Sequence, residues 1–65
     1  MEKKIFFPDG TTEEHNKDFR RRIFPDGTIK TIFEDGHQET RYKNGRLRIK
    51  DRNKKVIIDR IMEQQ

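Results

Sequence analysis

Cysteine and tryptophan are absent from this 65-residue chain, and tyrosine occurs once. Without cysteine there is no disulfide to brace a small fold, no thiolate zinc site and no clue to redox compartment. Alanine is missing as well, so the residue that best favours helices contributes nothing. Apolar residues make up 28% of the chain against 43% charged. No apolar run is long enough to span a membrane, and no stretch reads as a signal peptide. That apolar content is too small for a closed two-layer core and approaches the composition of disordered chains. A fragment that folds only on assembly is therefore one reading of the composition.

Charge of one sign does not dominate. The net charge is +4, with acidic residues interspersed among the basic ones. This mildly favours acidic partners or surfaces. The densest cluster is Arg20-Arg21-Arg22.

What is present is a repeat. Phe24-Pro25-Asp26-Gly27-Thr28 matches Phe7-Pro8-Asp9-Gly10-Thr11, with looser copies at Phe33-Glu34-Asp35-Gly36-His37 and Tyr42-Lys43-Asn44-Gly45-Arg46. A fifth, Asp51-Arg52-Asn53-Lys54-Lys55, has Lys54 where the others have glycine. Each copy reads as a hairpin turn. Proline presets φ, Asp or Asn bonds its own backbone, and glycine takes the left-handed position that closes a type I turn with a bulge. Gly10, Gly27, Gly36 and Gly45 are thus the structural turn residues. They are separated by 17, 9 and 9 residues; the first gap is close to two periods, with His15 to Asp18 filling the place of a lost turn. Turn signals at this interval indicate short strands throughout. The strands expected are Lys3–Phe7, Thr11–His15, Phe19–Phe24, Thr28–Phe33, His37–Tyr42, Arg46–Lys50 and Lys55–Arg60. The end, from Ile61 to Gln65, frays or forms one helical turn.

Turn position sets register. Phe24 faces Thr28, Phe33 faces His37 and Tyr42 faces Arg46, so Ile23 pairs with Ile29 and Phe19 with Phe33. Alternation then sorts the four central strands into two faces. The first holds Phe19, Ile23, Ile29, Phe33, Leu47 and Ile49, with Arg21, Thr31, Glu39 and Arg41 between them. The second holds Arg20, Arg22, Lys30, Arg46, Arg48 and Lys50, with Phe24, Thr28, Ile32, Thr40 and Tyr42. Neither face is purely apolar, which does not suit a sandwich. The pattern predicts an all-β fold: a single-layer antiparallel meander of hairpin repeats, solvent-exposed on both faces, with no closed core. Cross-strand pairs supply its stability, and charges on the outer strands (Lys3, Lys4, Lys55, Asp59 and Arg60) restrain edge pairing.

Catalytic and metal chemistry have little support. His15 and His37 lie on different strands without neighbouring ligands, and Asp9, Asp26 and Asp35 each precede a turn glycine without calcium-loop spacing. No activated nucleophile and no phosphate-cradling loop is found. We expect no enzyme activity, no metal and no cofactor. The informative surface is the basic second face. Phe24 and Tyr42 with Arg22, Lys30 and Arg48 are the candidate partner-binding residues. The partner is a peptide held by edge addition or by aromatics on a proline-rich segment, with nucleic acid as the alternative. Phe19, Ile23, Ile29 and Phe33 on the first face are the candidates for self-association.

The ordered run Phe24-Pro25-Asp26-Gly27-Thr28-Ile29-Lys30-Thr31, then Gly36-His37-Gln38-Glu39-Thr40-Arg41-Tyr42 and Asn44-Gly45-Arg46-Leu47-Arg48-Ile49-Lys50-Asp51, resembles a known family. It is similar to the C-terminal G-box, or TCP domain, of centriole assembly factors of the CPAP/Sas-4 type, shared by t-complex protein ten. The resemblance implies a long single-layered sheet, exposed on both faces, that is longer than this chain; residues 1–65 would form one G-box-like β-repeat domain, a fragment of that array. It implies a non-enzymatic scaffold in centriole duplication, located in the cytoplasm at the centrosome or centriole. Its expected partner is a proline-rich segment of STIL/Ana2 type, with homotypic end-to-end association through sheet edges; neither nucleic acid nor membrane is a favoured partner.

Overall fold

The computed structural model describes residues 2–61. Seven strands follow one another: β1 (Lys3–Phe6), β2 (Thr12–His15), β3 (Phe19–Ile23), β4 (Ile29–Phe33), β5 (Gln38–Arg41), β6 (Arg46–Lys50) and β7 (Val56–Ile61). They lie in that order in one sheet, every neighbouring pair antiparallel. The fold is the all-β, single-layer meander expected from the turn spacing, and the described residues contain no helix.

The strands are shorter at several ends than the sequence suggests. Phe7, Thr11, Phe24, Thr28, His37 and Tyr42 fall outside regular strand because each helps close its turn. The backbone amide of Phe24 donates to the Thr28 carbonyl at 2.8 Å, and that of Gly27 donates back to the Phe24 carbonyl at 3.0 Å. The same two bonds recur around Gly10, Gly36 and Gly45. In each turn the Asp or Asn side chain accepts from the amide two residues on, as in Thr28 N to Asp26 Oδ1 at 2.8 Å. All four glycines have φ between +90° and +97°. Lys54 adopts φ +67° and its turn keeps both backbone bonds, so glycine is replaceable there.

Residues 15–18 contain a turn after all. Asn16 Oδ1 accepts from the amides of Asp18 and Phe19, and the Asn16 amide donates to the Phe19 carbonyl. This loop is one residue shorter than the glycine turns, which explains why the first interval is 17 rather than twice nine. β7 runs one residue later at each end than expected, Val56–Ile61 rather than Lys55–Arg60. A bulge sets Ile58 opposite Ile49 but Val56 opposite Lys50, leaving Ile57 unpaired. The expected terminal fray or helical turn is β strand at Ile61, and its remainder, 62–65, lies outside the described residues.

Leu47 is the one buried hydrophobic residue among those described, at 8% exposure, and no side chain is fully enclosed. The radius of gyration is 12.7 Å, against about 10.7 Å for a compact chain of this length. Stability therefore rests on ladders, turns and cross-strand pairs.

The turns also pack on each other. Those at one end of the sheet belong to hairpins two strands apart, and the second residue of one turn sits over the glycine of the turn before it. A Cβ at Gly10 would lie 3.3 Å from Pro25 Cγ, and one at Gly27 would lie 3.8 Å from Lys43 Cβ. At the opposite end Gly36 faces Arg52 in the same manner.

Candidate protein-interaction surface

Register carries the site. Phe19 opposes Phe33 and Ile23 opposes Ile29, as the turn positions require. Extending the pairs over all seven strands gives each face three rows running across the sheet. At the end carrying the Gly10, Gly27 and Gly45 turns, the second face presents Phe7, Thr11, Phe24, Thr28, Tyr42, Arg46 and Ile61 in one row. Aromatic rings occupy alternate early positions of the row, separated by threonines. Thr11, between Phe7 and Phe24, is buried at 7% exposure, while Phe24 and Tyr42 are half-buried. The Arg46 guanidinium lies 5.7 Å from the Tyr42 ring centre.

The next row of the second face is Ile5, Glu13, Arg22, Lys30, Thr40, Arg48 and Asp59. It extends the basic face read from the four central strands to the outer ones. The basic residues sorted from β3 to β6 do share this face, but β2 and β7 bring acids to its margins. Arg22 Nε donates to Glu13 Oε2 at 2.7 Å, and Glu13 also meets His15 Nε2 at 2.8 Å. These bonds, His15 first and then Arg22, hold the Glu13 carboxyl below its usual range. Arg46 binds Asp59 through Nε and Nη2, both at 2.9 Å, and Arg48 Nη2 reaches the same carboxylate at 3.2 Å. Chiefly through Arg46, the Asp59 pKa falls from 3.8 to about 2. Asp59, expected to guard the edge, instead points its charge inward to β6. Lys55, expected on that strand, lies in the loop before it.

The structure places Phe24, Tyr42, Lys30 and Arg48 around one open groove of 240 Å³, floored by Thr28, Gln38 and Thr40, with Lys50 at its side. Arg22 lies outside it, across β3, in an adjoining groove with Glu13 and Arg20. Glu13, Asp59, Phe7 and Thr11 were missed by a reading confined to the four central strands. Counting the same register outward through β2 and β1 would have found Glu13, Thr11 and Phe7, whereas Asp59 reaches this face only through the β7 bulge, which the sequence does not signal.

The first face is charge-balanced. Phe19, Ile23, Ile29 and Phe33 lie together there, Phe19 and Phe33 edge to face with centroids 6.3 Å apart. Phe33 stacks on His37 at 4.2 Å, and Arg21 covers Phe19 at 4.4 Å. Lys4 and Arg21 flank Glu14 at 3.7 and 3.4 Å. Among the described residues the outer sides of β1 and β7 have no strand beside them. On β7 every residue is exposed, Ile57 at 55% and Ile61 at 64%. Among the described residues no cluster of three potential metal ligands occurs, and no helix is long and apolar enough to cross a membrane.

Comparison with known proteins agrees with this architecture. The sequence model of the T-complex protein 10 C-terminus matches residues 16–50. The chain is 49% identical over 57 residues to the centrosomal P4.1-associated protein of Homo sapiens and 48% identical to that of Mus musculus. Those alignments span 88% of this chain and 4% of either relative. Among solved structures, the wild-type TCP10 domain of Danio rerio CPAP superposes with a TM-score of 0.89 at 51% identity, covering 94% of this chain and 36% of that one. The same domain in complex with a peptide of Danio rerio STIL gives 0.88, covering 34% of that chain. With a family match over more than half its length, half-identical relatives and a shared single-layer sheet, this chain belongs to the T-complex protein 10 C-terminus family.

Proposed function

We propose that this chain is a non-catalytic protein-binding scaffold of centriole assembly and duplication, acting at the centrosome or centriole. On this reading residues 1–65 are one β-repeat unit of a longer array, in keeping with a match to about a third of the solved domain. The partner is an extended, proline-rich segment of STIL type, a reading supported by the solved complex of the Danio rerio domain with a peptide of STIL.

The observation that carries this reading is the spacing of Phe7, Phe24 and Tyr42. They stand two strands apart in one row, and two strand steps measure about 9.5 Å. A polyproline helix repeats every three residues at about 3.1 Å per residue, close to 9.3 Å. A proline-rich segment laid across the strands would set every third residue against the next ring, with Lys30 and Arg48 of the adjoining row facing its carbonyls. Arg22, neutralised by Glu13, supports the row by its stem. Nucleic acid fits this face less well, because Glu13 and Asp59 bound the basic strip on both sides. Homotypic association belongs to the same proposal: the free backbone of β7 pairs with the β1 edge of another copy, and Phe19, Ile23, Ile29 and Phe33 offer a second contact.

The test is a titration with a labelled proline-rich peptide from a STIL-type partner. Phe24→Ala and Tyr42→Ala should each weaken binding about tenfold, or about 1.4 kcal/mol. Unchanged affinity in both variants would remove the aromatic row from the account.

A further inference from the structure

On the second face, the four central strands carry Arg20, Arg22, Lys30, Arg46, Arg48 and Lys50 and not one acid. The outer strands compensate only part of this charge. Glu13 takes Arg22, and Asp59 takes Arg46 and Arg48. Arg20, Lys30 and Lys50 have no ion-pair partner among the described residues. Lys30 is moreover set directly opposite Arg22, a like-charge cross-strand pair of the kind that destabilises a sheet.

Of the three unpaired cations, Lys30 and Lys50 border a trough, together with the Asp59-bound Arg48. Along β5 this face shows only Gln38 and Thr40, ending at Tyr42. Lys30 on β4 forms one wall, and Arg48 and Lys50 on β6 form the other. The trough runs parallel to the strands, at right angles to the aromatic row. Its neutral floor carries amide and hydroxyl groups able to bond a backbone or a carboxylate. Arg48 and Lys50 sit two residues apart on one strand, so their spacing is that of alternate residues in an extended chain, about 6.8 Å.

We propose that this trough is a second interaction site, for an extended acidic peptide segment with carboxylates at alternate positions. Such a segment lies antiparallel or parallel to β5, its carboxylates between Lys30 on one side and Arg48 and Lys50 on the other, its intervening side chains facing water. The match of charge, with a floor of amide and hydroxyl groups suited to a peptide backbone, favours a peptide over a nucleic acid. Glu13 and Asp59 would repel a nucleic-acid backbone extending beyond β3 or β6. Both readings use Lys30 and Arg48, but the acidic segment does not need the rings of the perpendicular row, on which proline-rich binding rests.

The experiment titrates the 65-residue chain with an eight-residue peptide alternating Glu and Thr. A peptide of equal composition with its Glu residues clustered, and an oligonucleotide of equal charge, serve as comparisons. We expect binding to the alternating peptide at low salt that weakens as salt rises. Joint Lys30→Gln and Lys50→Gln substitution should weaken it at least tenfold. Joint Lys4→Gln and Arg60→Gln substitution, which removes equal charge from the opposite face, should change it less than twofold. Phe24→Ala should leave it within twofold while impairing proline-rich binding, which separates the two sites. The proposal is overturned if the alternating peptide does not bind, if the clustered peptide or the oligonucleotide binds as tightly, or if the joint Lys4 and Arg60 change weakens binding as much as the paired lysine change.

Discussion

Gly36 lies directly beneath Arg52: a Cβ on Gly36 would come within 2.8 Å of the Arg52 Cβ and 3.5 Å of its Cα. The two residues belong to successive turns at one end of the sheet, joined only through β5 and β6. Gly36 thus answers two demands, a φ of +97° and a closely packed neighbour. Gly27 answers the first alone, since Lys43 is at ordinary contact distance. Alanine at either position should cost about 1–2 kcal/mol through the left-handed backbone. Gly36→Ala should cost roughly 1 kcal/mol more, because Arg52 meets it close to the main chain and yields little. Urea unfolding of the two variants measures the difference, and equal losses would show that the turn stack carries no energy.

Lys54 invites the opposite change. Its φ of +67° is a strained position for a residue with a side chain. Lys54→Gly should stabilise the chain by up to about 1 kcal/mol, the backbone strain released being offset in part by a more flexible unfolded state. A fall in the denaturation midpoint would contradict this account of the sixth turn.

Acid should unfold the sheet through its carboxylates. Arg46 and Arg48 hold Asp59 near a pKa of about 2, while its unfolded value is about 3.8. Turn amides, Thr11, Thr28 and His37 in turn, hold Asp9, Asp26 and Asp35 below their usual range. The unfolded chain therefore binds more protons in this window. The stability these groups contribute is complete above the unfolded pKa and lost as pH falls from about 4 toward 2. Circular dichroism should record that loss, with a shallower slope in Asp59→Asn. An acid limb of equal steepness would show that Asp59 is not coupled to folding.

Relief of the Arg22–Lys30 pair should be visible in the free protein. Lys30→Gln should raise stability by a few tenths to about 1 kcal/mol, since the like-charge neighbour is gone. The effect should shrink in high salt, where exposed charges are screened. A destabilised variant would mean that the Lys30 stem contributes more by covering Thr40 and Ile32 than its charge costs.

The β7 edge supplies a test of assembly. Ile57 is left unpaired by the bulge and is exposed. Ile57→Lys should suppress self-association in sedimentation while leaving the monomer folded, because a charge on an edge strand opposes pairing with a second chain. Self-association at wild-type strength would exclude the β7 edge.

Much of this fold is legible in the order of residues because its rules are local. Phe24-Pro25-Asp26-Gly27-Thr28 defines a turn within five residues, the turn places Ile23 opposite Ile29, and alternation then assigns Lys30 and Tyr42 to one face. The legibility stops where partners are remote. Arg46 and Asp59 are 13 residues apart and meet only because β7 lies beside β6. The same holds for Arg22 and Glu13, which turned an apparently cationic face into one with acidic margins. The tight turn at Asn16 escaped notice because it lacks glycine and works through one side-chain oxygen.

The sequence alone determined the bends, their nearly even interval and hence the sides on which residues emerge, since each follows from a few bonded neighbours. Only the tertiary structure decided which charges cancel, which turns rest on one another and where β7 slips by a residue. Those outcomes depend on side chains from strands brought together by the whole sheet, and their energies are settled by distance in space rather than by position along the chain.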